Sequence, residues 1–318
     1  MSPRRLLLLP AAAAASALLL AGCAPAADAS GGATGETVTV TIGTLRGQPH
    51  FYAPFLYEDF APDGVEFEVV TLDTTPALSD ALVAGTVDFA VSGLTPTISS
   101  IAQGRDLRIV ASAADGGSGF VGSEGIDSPE DLVGKTVGYI QGSAQEIAMR
   151  LTLEEAGVDP EDVELITVPV PEMAGQFAAG DLDAFFGVEI GASIALQNGG
   201  HSFADPYATP IGRVNLGLIT TGALIDEDPD LVAEVVGTHA AATEWMTGNE
   251  DEWLTEMVET FGGDQAIFDT AIENFWMRSD LSEEYQGQLE ALAGEMAELG
   301  LIDEAPTADE LVDTSFVE

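Results

Sequence analysis

The chain has 318 residues, with 54 acidic side chains against 9 basic ones, three histidines, one cysteine and a formal charge of −45. Such a balance speaks against nucleic acid as a partner, because phosphate backbones are held by clustered Lys and Arg. A hydrophobic content of 46% speaks against a disordered acidic tail, so the acids are read as the solvating surface of a folded core. With Cys23 as the sole cysteine there is neither a disulfide nor a thiolate metal cluster, and packing must hold the fold.

Arg4 and Arg5 precede an apolar run over residues 6–20, and Leu20-Ala21-Gly22-Cys23 closes it with small residues. This order predicts an export signal over residues 1–22, too short and wrongly flanked for a membrane span. Cys23 stands where the lipobox of bacterial lipoproteins places the residue that is diacylated, by palmitate-type chains, and becomes the new amino terminus. The alternative is a secreted protein in which Cys23 is incidental, and the Arg4-Arg5 pair leaves the export route open between Sec and twin-arginine. Residues 23–36 are rich in Ala, Gly, Ser, Pro and Thr without hydrophobic period and predict a flexible tether. The expected location is the extracytoplasmic face of the cell membrane, held by lipid on Cys23.

From residue 37 onward, short β-branched runs alternate with helical stretches, the pattern of an α/β fold with mainly parallel strands. Strands are expected at 38–42, 67–71, 87–91, 107–111, 136–140, 163–168, 182–186 and 216–220. Ser128-Pro129-Glu130-Asp131 and Asp159-Pro160-Glu161-Asp162 read as helix starts, with a capping side chain, proline in the first turn and acids at the positive end of the dipole. Between 143 and 156, Ala144, Ile147, Ala148 and Leu151 recur at helical spacing and predict one buried stripe. Residues 82–89 echo residues 177–184: a helix end, Gly85 or Gly180 as its stop, then an apolar residue and Asp88 or Asp183 opening a strand. Two copies, each after one βα unit, predict two lobes of similar plan, which suits about 280 residues better than one core does. From Asp226 on, helices are expected at 231–246, 250–261, 265–276 and 282–299, with Val235, Trp245, Trp253, Met257, Phe268, Phe275 and Leu289 assigned to packing.

The stretch from Ile126 to Gly138, then Gln141-Gly142-Ser143 and the run from Leu153 to Val158, resembles the central segment of the NitT/TauT-type solute-binding proteins, also called SsuA/THI5-like or NMT1-like. Phe51-Tyr52-Ala53-Pro54, Gly300-Leu301-Ile302 and Leu311-Val312-Asp313 extend the likeness to nearly all of residues 37–318. That family serves ABC importers of nitrate, sulfonates, taurine and thiamine-pyrimidine precursors. The resemblance implies a two-lobed periplasmic-binding-protein fold of type II, with parallel-rich sheets flanked by helices and the helical C-terminal segment packed on lobe 1. Lobe 1 is expected at 37–115 and 216–318, and lobe 2 at 116–215. The implied partners are a small-molecule solute and an ABC permease with its ATPase, for a monomeric binder without cofactor or metal.

In open parallel sheets, ligands lie beyond the carboxyl ends of strands, where helix N-termini leave N–H groups free. The candidate ligand residues are therefore those of the loops after each strand: Arg46, Gln48, His50 and Tyr52, then Thr75, Ser92, Thr95, Gln141, Ser143, Glu172 and Glu189. Ser143 reads equally as a helix cap, Tyr52 as core, and Glu189 as a solvated or capping acid. A carboxylate in the cleft would favour an amine or amino-pyrimidine, whereas a small oxyanion would need Arg46, Arg213 or helix N-termini, so both solute classes stay open. An enzyme or sensor domain on the same fold is a further alternative. Against catalysis, His50, His201 and His239 have no metal-ligand spacing, no nucleophile elbow or phosphate loop is present, and the sole lysine, Lys135, sits in a turn.

Overall fold

The structure, a computed structural model, describes residues 37–317. The expected signal, Cys23 and the tether lie outside the described residues. The strands are β1 Val38–Leu45, β2 Val65–Leu72, β3 Phe89–Gly93, β4 Leu107–Gly116, β5 Ser118–Gly122, β6 Thr136–Tyr139, β7 Glu164–Thr167, β8 Ala184–Val188, β9 His201–Ser202, β10 Val214–Thr221 and β11 Phe275–Met277. They form two sheets, ordered β11-β4-β10-β3-β1-β2 and β7-β6-β8-β5-β9. Each sheet has a parallel centre, β2-β1-β3 in one and β7-β6-β8 in the other. Antiparallel pairs flank it, β10 with β3 and β4 and β11 with β4 in one sheet and β5 with β8 and β9 in the other, and the chain crosses between the sheets from β4 to β5 and from β9 to β10.

The internal echo has a shared physical basis. Asp88 Oδ2 accepts from Thr41 N at 2.7 Å and Thr41 Oγ1 at 2.6 Å, while Asp88 N donates to Thr41 O at 2.9 Å. In the second sheet Asp183 Oδ2 accepts from Thr136 N at 3.0 Å, and Asp183 N donates to Thr136 O at 2.8 Å. Each aspartate thus clasps the first strand of its own βαβ unit, and both partners lie 47 residues upstream. A carboxylate accepting N–H bonds contributes on the order of 1 kcal/mol at such half-buried sites, but its larger effect is on register, since it pins β3 to β1 and β8 to β6 at one residue.

The C-terminal helices cover the first sheet and also reach the second. Trp253, Met257, Phe268 and Phe275 pack with Phe89, Val91 and Leu218 of the first sheet. Helix Glu283–Glu298 places Tyr285, Leu289, Leu292, Ala293 and Met296 in a core shared with Leu94 and Ile98 on one side and Ile147 and Met149 on the other. The single helix expected over 265–276 instead ends at Ala271, passes through a 3-10 turn Ile272–Asn274 and becomes β11. There Phe275 pairs with Gly116 at the edge of β4, a long-range pairing that local helical period does not register. The two Pro-Glu-Asp starts make only 3-10 turns, Pro129–Leu132 and Pro160–Asp162, because a strand follows each within a few residues.

His239 is buried between Tyr57 Oη at 2.7 Å and Ser112 O at 2.8 Å. The carbonyl can only accept, so Nε2 carries the proton and Nδ1 accepts from Tyr57. Burial lowers its pKa from 6.5 to about 4. The folded state therefore resists a proton that the unfolded chain takes up below 6.5, so the stability supplied by the neutral ring is full above that value and falls as pH drops toward 4. His239→Gln should accordingly show a Tm deficit against the wild type at pH 7 that narrows toward pH 4, measured by differential scanning calorimetry. A deficit constant across that range would refute neutral burial.

Candidate functional site

A cavity of about 390 Å³ opens between the two sheets. It is lined by Leu45 at the end of β1, Gly93 at the end of β3, Ile140 and Gln141 after β6, Val188 at the end of β8, and Asn215 and Leu216 in β10. Four helices start at its walls: Thr75–Val83, Leu94–Ala102, Ala144–Glu155 and Val170–Ala179. Thr74 Oγ1 caps the first and Ser143 Oγ the third, by accepting from Ala77 N at 3.3 Å and Glu146 N at 3.2 Å. Gly93 and Pro169, which precede the other two, supply no side-chain cap, but Pro96 and Pro171 in those first turns have no N–H and Glu172 N donates to Pro169 O at 2.9 Å, so few N–H groups are left free there. Asp73 is the single formally charged side chain in the lining, and no Lys or Arg belongs to it.

Of the residues singled out from sequence, the cavity wall brings together Gln48, His50, Thr75, Thr95, Gln141 and Ser143. The other five lie elsewhere, for local reasons. Arg46 is exposed and donates from Nη2 to Thr71 Oγ1 at 3.0 Å. Tyr52 is core rather than cleft, stacked on Phe55 at 5.2 Å and on Trp253 at 5.7 Å, with burial and the charge of Glu256 pushing its pKa up to about 12. Ser92 is fully buried within β3, outside the lining, and its Oγ donates to Thr75 O at 3.5 Å. Glu172 is exposed and accepts from Gln176 Nε2 at 3.1 Å, while its neighbours Val170 and Pro171 form the wall.

Glu189 turns to the rear of the junction. Its Oε2 accepts from Ser193 N at 3.1 Å and Ser193 Oγ at 2.7 Å, and its Oε1 from Asn274 Nδ2 at 2.8 Å. It lines a separate hollow of about 270 Å³ together with Ser118, Ser193 and Asn274.

His50 is 4% exposed and packs on Phe51 and Phe275, at ring separations of 4.9 and 5.8 Å. Its Nδ1 is buried with no hydrogen-bond partner, and burial lowers its pKa from 6.5 to about 4, so the ring is neutral near pH 7. Sequence reading missed Gln145 and Asn215, both in the lining. Gln145 left one signal, a polar residue beside the apolar stripe of its helix, and it is 3% exposed with Nε2 2.8 Å from Ser118 Oγ. Asn215 lies at the start of a strand and carried no local signal; its Nδ2 donates to Gly116 O at 2.6 Å.

The crossing between the sheets lies behind the cavity wall, tied to it through Asn215, which bonds Gly116 O. Gly116 and Gly117 hold successive φ values of 81° and 75°, a left-handed pair that suits glycine. A Cβ on Gly116 would come within 2.6 Å of Asn274 O. Around the next residue, Ser118 N donates to Tyr207 Oη at 3.1 Å, Asn274 Nδ2 donates to Ser118 O at 2.8 Å, and Tyr207 Oη donates to Asn274 Oδ1 at 2.8 Å. Among the described residues no group of three or more His, Cys, Asp or Glu is placed to hold a metal ion, and no helix is long and apolar enough to cross a membrane.

Residues 60–269 match the family described as NMT1/THI5 like. The formylaminopyrimidine-binding protein of Halalkalibacterium halodurans is 30% identical over 235 residues, 70% of this chain and 70% of that protein. The chain belongs to the NMT1/THI5-like family. Among solved structures, the periplasmic aliphatic sulphonate binding protein SsuA from Escherichia coli superposes with a TM-score of 0.75 at 17% identity, covering 88% of this chain and 98% of that one. The desulfurization enzyme DSZB superposes with a TM-score of 0.65 at 16% identity, covering 87% and 97%. The NMT1/THI5-like chain described here thus has the two-lobed type II periplasmic-binding-protein fold.

Placing Glu189 behind the cleft leads to a definite expectation. Glu189→Ala should cost about 1–3 kcal/mol by stripping Ser193 and Asn274 of their acceptor, visible as a lower Tm. It should also leave the ranking of solutes by affinity unchanged. A reordered ranking in isothermal titration would place Glu189 against the solute instead.

Proposed function

We infer that this NMT1/THI5-like protein is the extracytoplasmic solute-binding subunit of an ABC importer, holding a small polar organic solute between its lobes and passing it to the permease and its ATPase. The observation that carries this reading is the cavity itself: helix N-termini and neutral polar side chains converge from both sheets on one space of about 390 Å³, at the glycine crossing that joins them. Closure of the lobes over the solute would desolvate it, and affinity would follow how far the solute favours the closed population. Lipid on Cys23 and the tether behind it would keep a monomeric receptor near its permease while leaving the lobes free.

The solute class favoured is a neutral or amine-bearing organic molecule of pyrimidine type. Leu45, Phe51, Pro76, Pro96, Pro171, Val188 and Leu216 give the cavity broad apolar walls suited to an organic body. No Lys or Arg lines it and Asp73 stands at its rim, so a fully charged oxyanion would lack a counter-ion. The family relative named for a formylaminopyrimidine points the same way. An oxyanion solute is the second reading, supported by the four helix N-termini and by the fold shared with the sulphonate binder. Binding without turnover suits a lining in which Ser143 Oγ is committed to Ile140 O at 2.6 Å and His50 bonds no hydroxyl.

Native mass spectrometry of the mature protein, followed by a thermal-shift series, tests the assignment. A formylaminopyrimidine should raise Tm with the logarithm of its concentration, while taurine, ethanesulfonate and nitrate should leave it within error. The largest shift from any of these three would replace the favoured class with the second reading. Metabolic labelling with a palmitate analogue should mark the wild type and not Cys23→Ser; equal labelling of both would remove the anchor.

A further inference from the structure

We propose, resting on the solute-binding reading above, that Gln197 holds the solute-free protein at its observed lobe angle from behind the cleft, so that a residue which meets no solute tunes the affinity for every solute alike. Gln197 ends helix Gly191–Gln197, whose Ala192 and Ala195 pack with Val121 and Phe185 of the second sheet. Facing it is helix Gln265–Ala271, whose Phe268 and Ala271 pack with Phe89 of the first sheet. The Gln197 amide joins the two, with Nε2 donating to Ala266 O at 2.8 Å and to Thr270 Oγ1 at 3.0 Å. Thr270 gives its own hydroxyl hydrogen to Ala266 O at 3.0 Å, so its oxygen is free to accept. Both hydrogens of one nitrogen are thus used across the lobe boundary.

The place of this clamp gives it leverage. Val188 lines the cleft and Glu189 the rear hollow, while Asn215 bonds Gly116 O from the cleft side and Asn274 bonds Ser118 O from the other. The crossing at Gly116-Gly117-Ser118 therefore stands between cleft and hollow, and a rotation about it that brings the cleft walls together carries the walls of the hollow apart. The bond from Asn274 to Glu189 lies beside such an axis and moves little. Gln197 is six residues beyond the start of its helix, ~9 Å at 1.5 Å per residue. A rotation of ~20° displaces a point at that radius by ~3 Å, which breaks both of its bonds.

No comparable bond acts at the front. Among the described residues, no hydrogen bond or ion pair joins the first-sheet wall of the cleft to the second-sheet wall. Helices Glu283–Glu298 and Ala144–Glu155 also meet across the lobes, but through the apolar core that holds Leu289 and Ile147, which is non-directional and tolerates small sliding. Apparent affinity scales with the fraction of free protein that reaches the closed arrangement. A bond made only at the observed angle lowers that fraction by one factor, whatever the solute.

Formylaminopyrimidine, taurine and ethanesulfonate, titrated by calorimetry into the mature chain, test the clamp. Gln197 is exposed, so its truncation leaves both cores intact. Gln197→Ala should tighten every probe that the wild type binds by about fivefold and keep their order. Asn198→Ala removes only a bond to Ile194 O within the same helix and should leave affinity at the wild-type value. Unchanged or weaker binding in Gln197→Ala, a changed order, or an equal gain in Asn198→Ala overturns the proposal while the solute reading stands. The lobe angle is also read without solute, by pulsed electron resonance between nitroxides on cysteines placed at the exposed Val83 and Val133, one beside each sheet, in a Cys23→Ser background. Gln197→Ala should broaden that distance distribution, and an unaltered distribution overturns the proposal whether or not a probe binds. Broadening with no probe bound sustains the clamp and overturns the favoured reading of the cleft.

Discussion

The chain first leaves one sheet for the other at Gly116-Gly117-Ser118, and the bonds made there tie the two sheets together. The two glycines take a left-handed turn that side chains resist, and the serine after them is bonded through its N–H and its carbonyl to Tyr207 and Asn274. Asn274 belongs to the helical segment that closes on the first sheet, and through Glu189 it also holds the start of helix Gly191–Gln197 in the second. Polar bonds at such a crossing do more for geometry than for net stability, because each replaces a bond to water. What they fix is the direction in which one sheet faces the other.

The cleft follows from that orientation. Parallel strands in each sheet deliver helix N-termini to the same end, and two such ends brought face to face make a space walled by helix starts without a single cationic side chain in its lining. For a chain with 9 basic residues in 318, this is a way to hold polar matter that spends none of them. The same economy explains why the basic residues are occupied outside the cleft: Arg278 pairs with Asp115 and Asp280, Arg105 with Asp80, and Arg150 with Glu146. Arg213 lies over the ring of Trp276 at 4.1 Å. A desulfurization enzyme shares this fold, so the fold by itself does not fix a use, and the reading of function rests on the family and the lining.

Legibility differed from element to element for physical reasons. The βαβ units were readable because each is local: β-branched strand, amphipathic helix, glycine stop and aspartate all fall within one short window. That Asp88 and Asp183 each grip a threonine 47 residues away was not readable, since the partner is chosen by strand pairing rather than by proximity in the chain. Strand β5, with Gly119 and Gly122 among its five residues, carried little β signal and owes its place to β8 beside it. Strand β11 was hidden inside an apparently helical run for the same reason.

By itself, the sequence determined the α/β class, the alternation of elements, the helical C-terminal segment and the loops after strands where a ligand should be sought. These depend on local propensity and on hydrophobic period, which neighbouring residues carry in full. The tertiary structure decided which of those loops face one another. It sent Glu189 to the rear, Tyr52 into the core and Arg46 to the surface, and it brought Asn215 and Gln145 to the floor of the cleft. A side chain's direction at a strand end is set by pleat, twist and the crossing between sheets, and none of these is written in the residue or its neighbours.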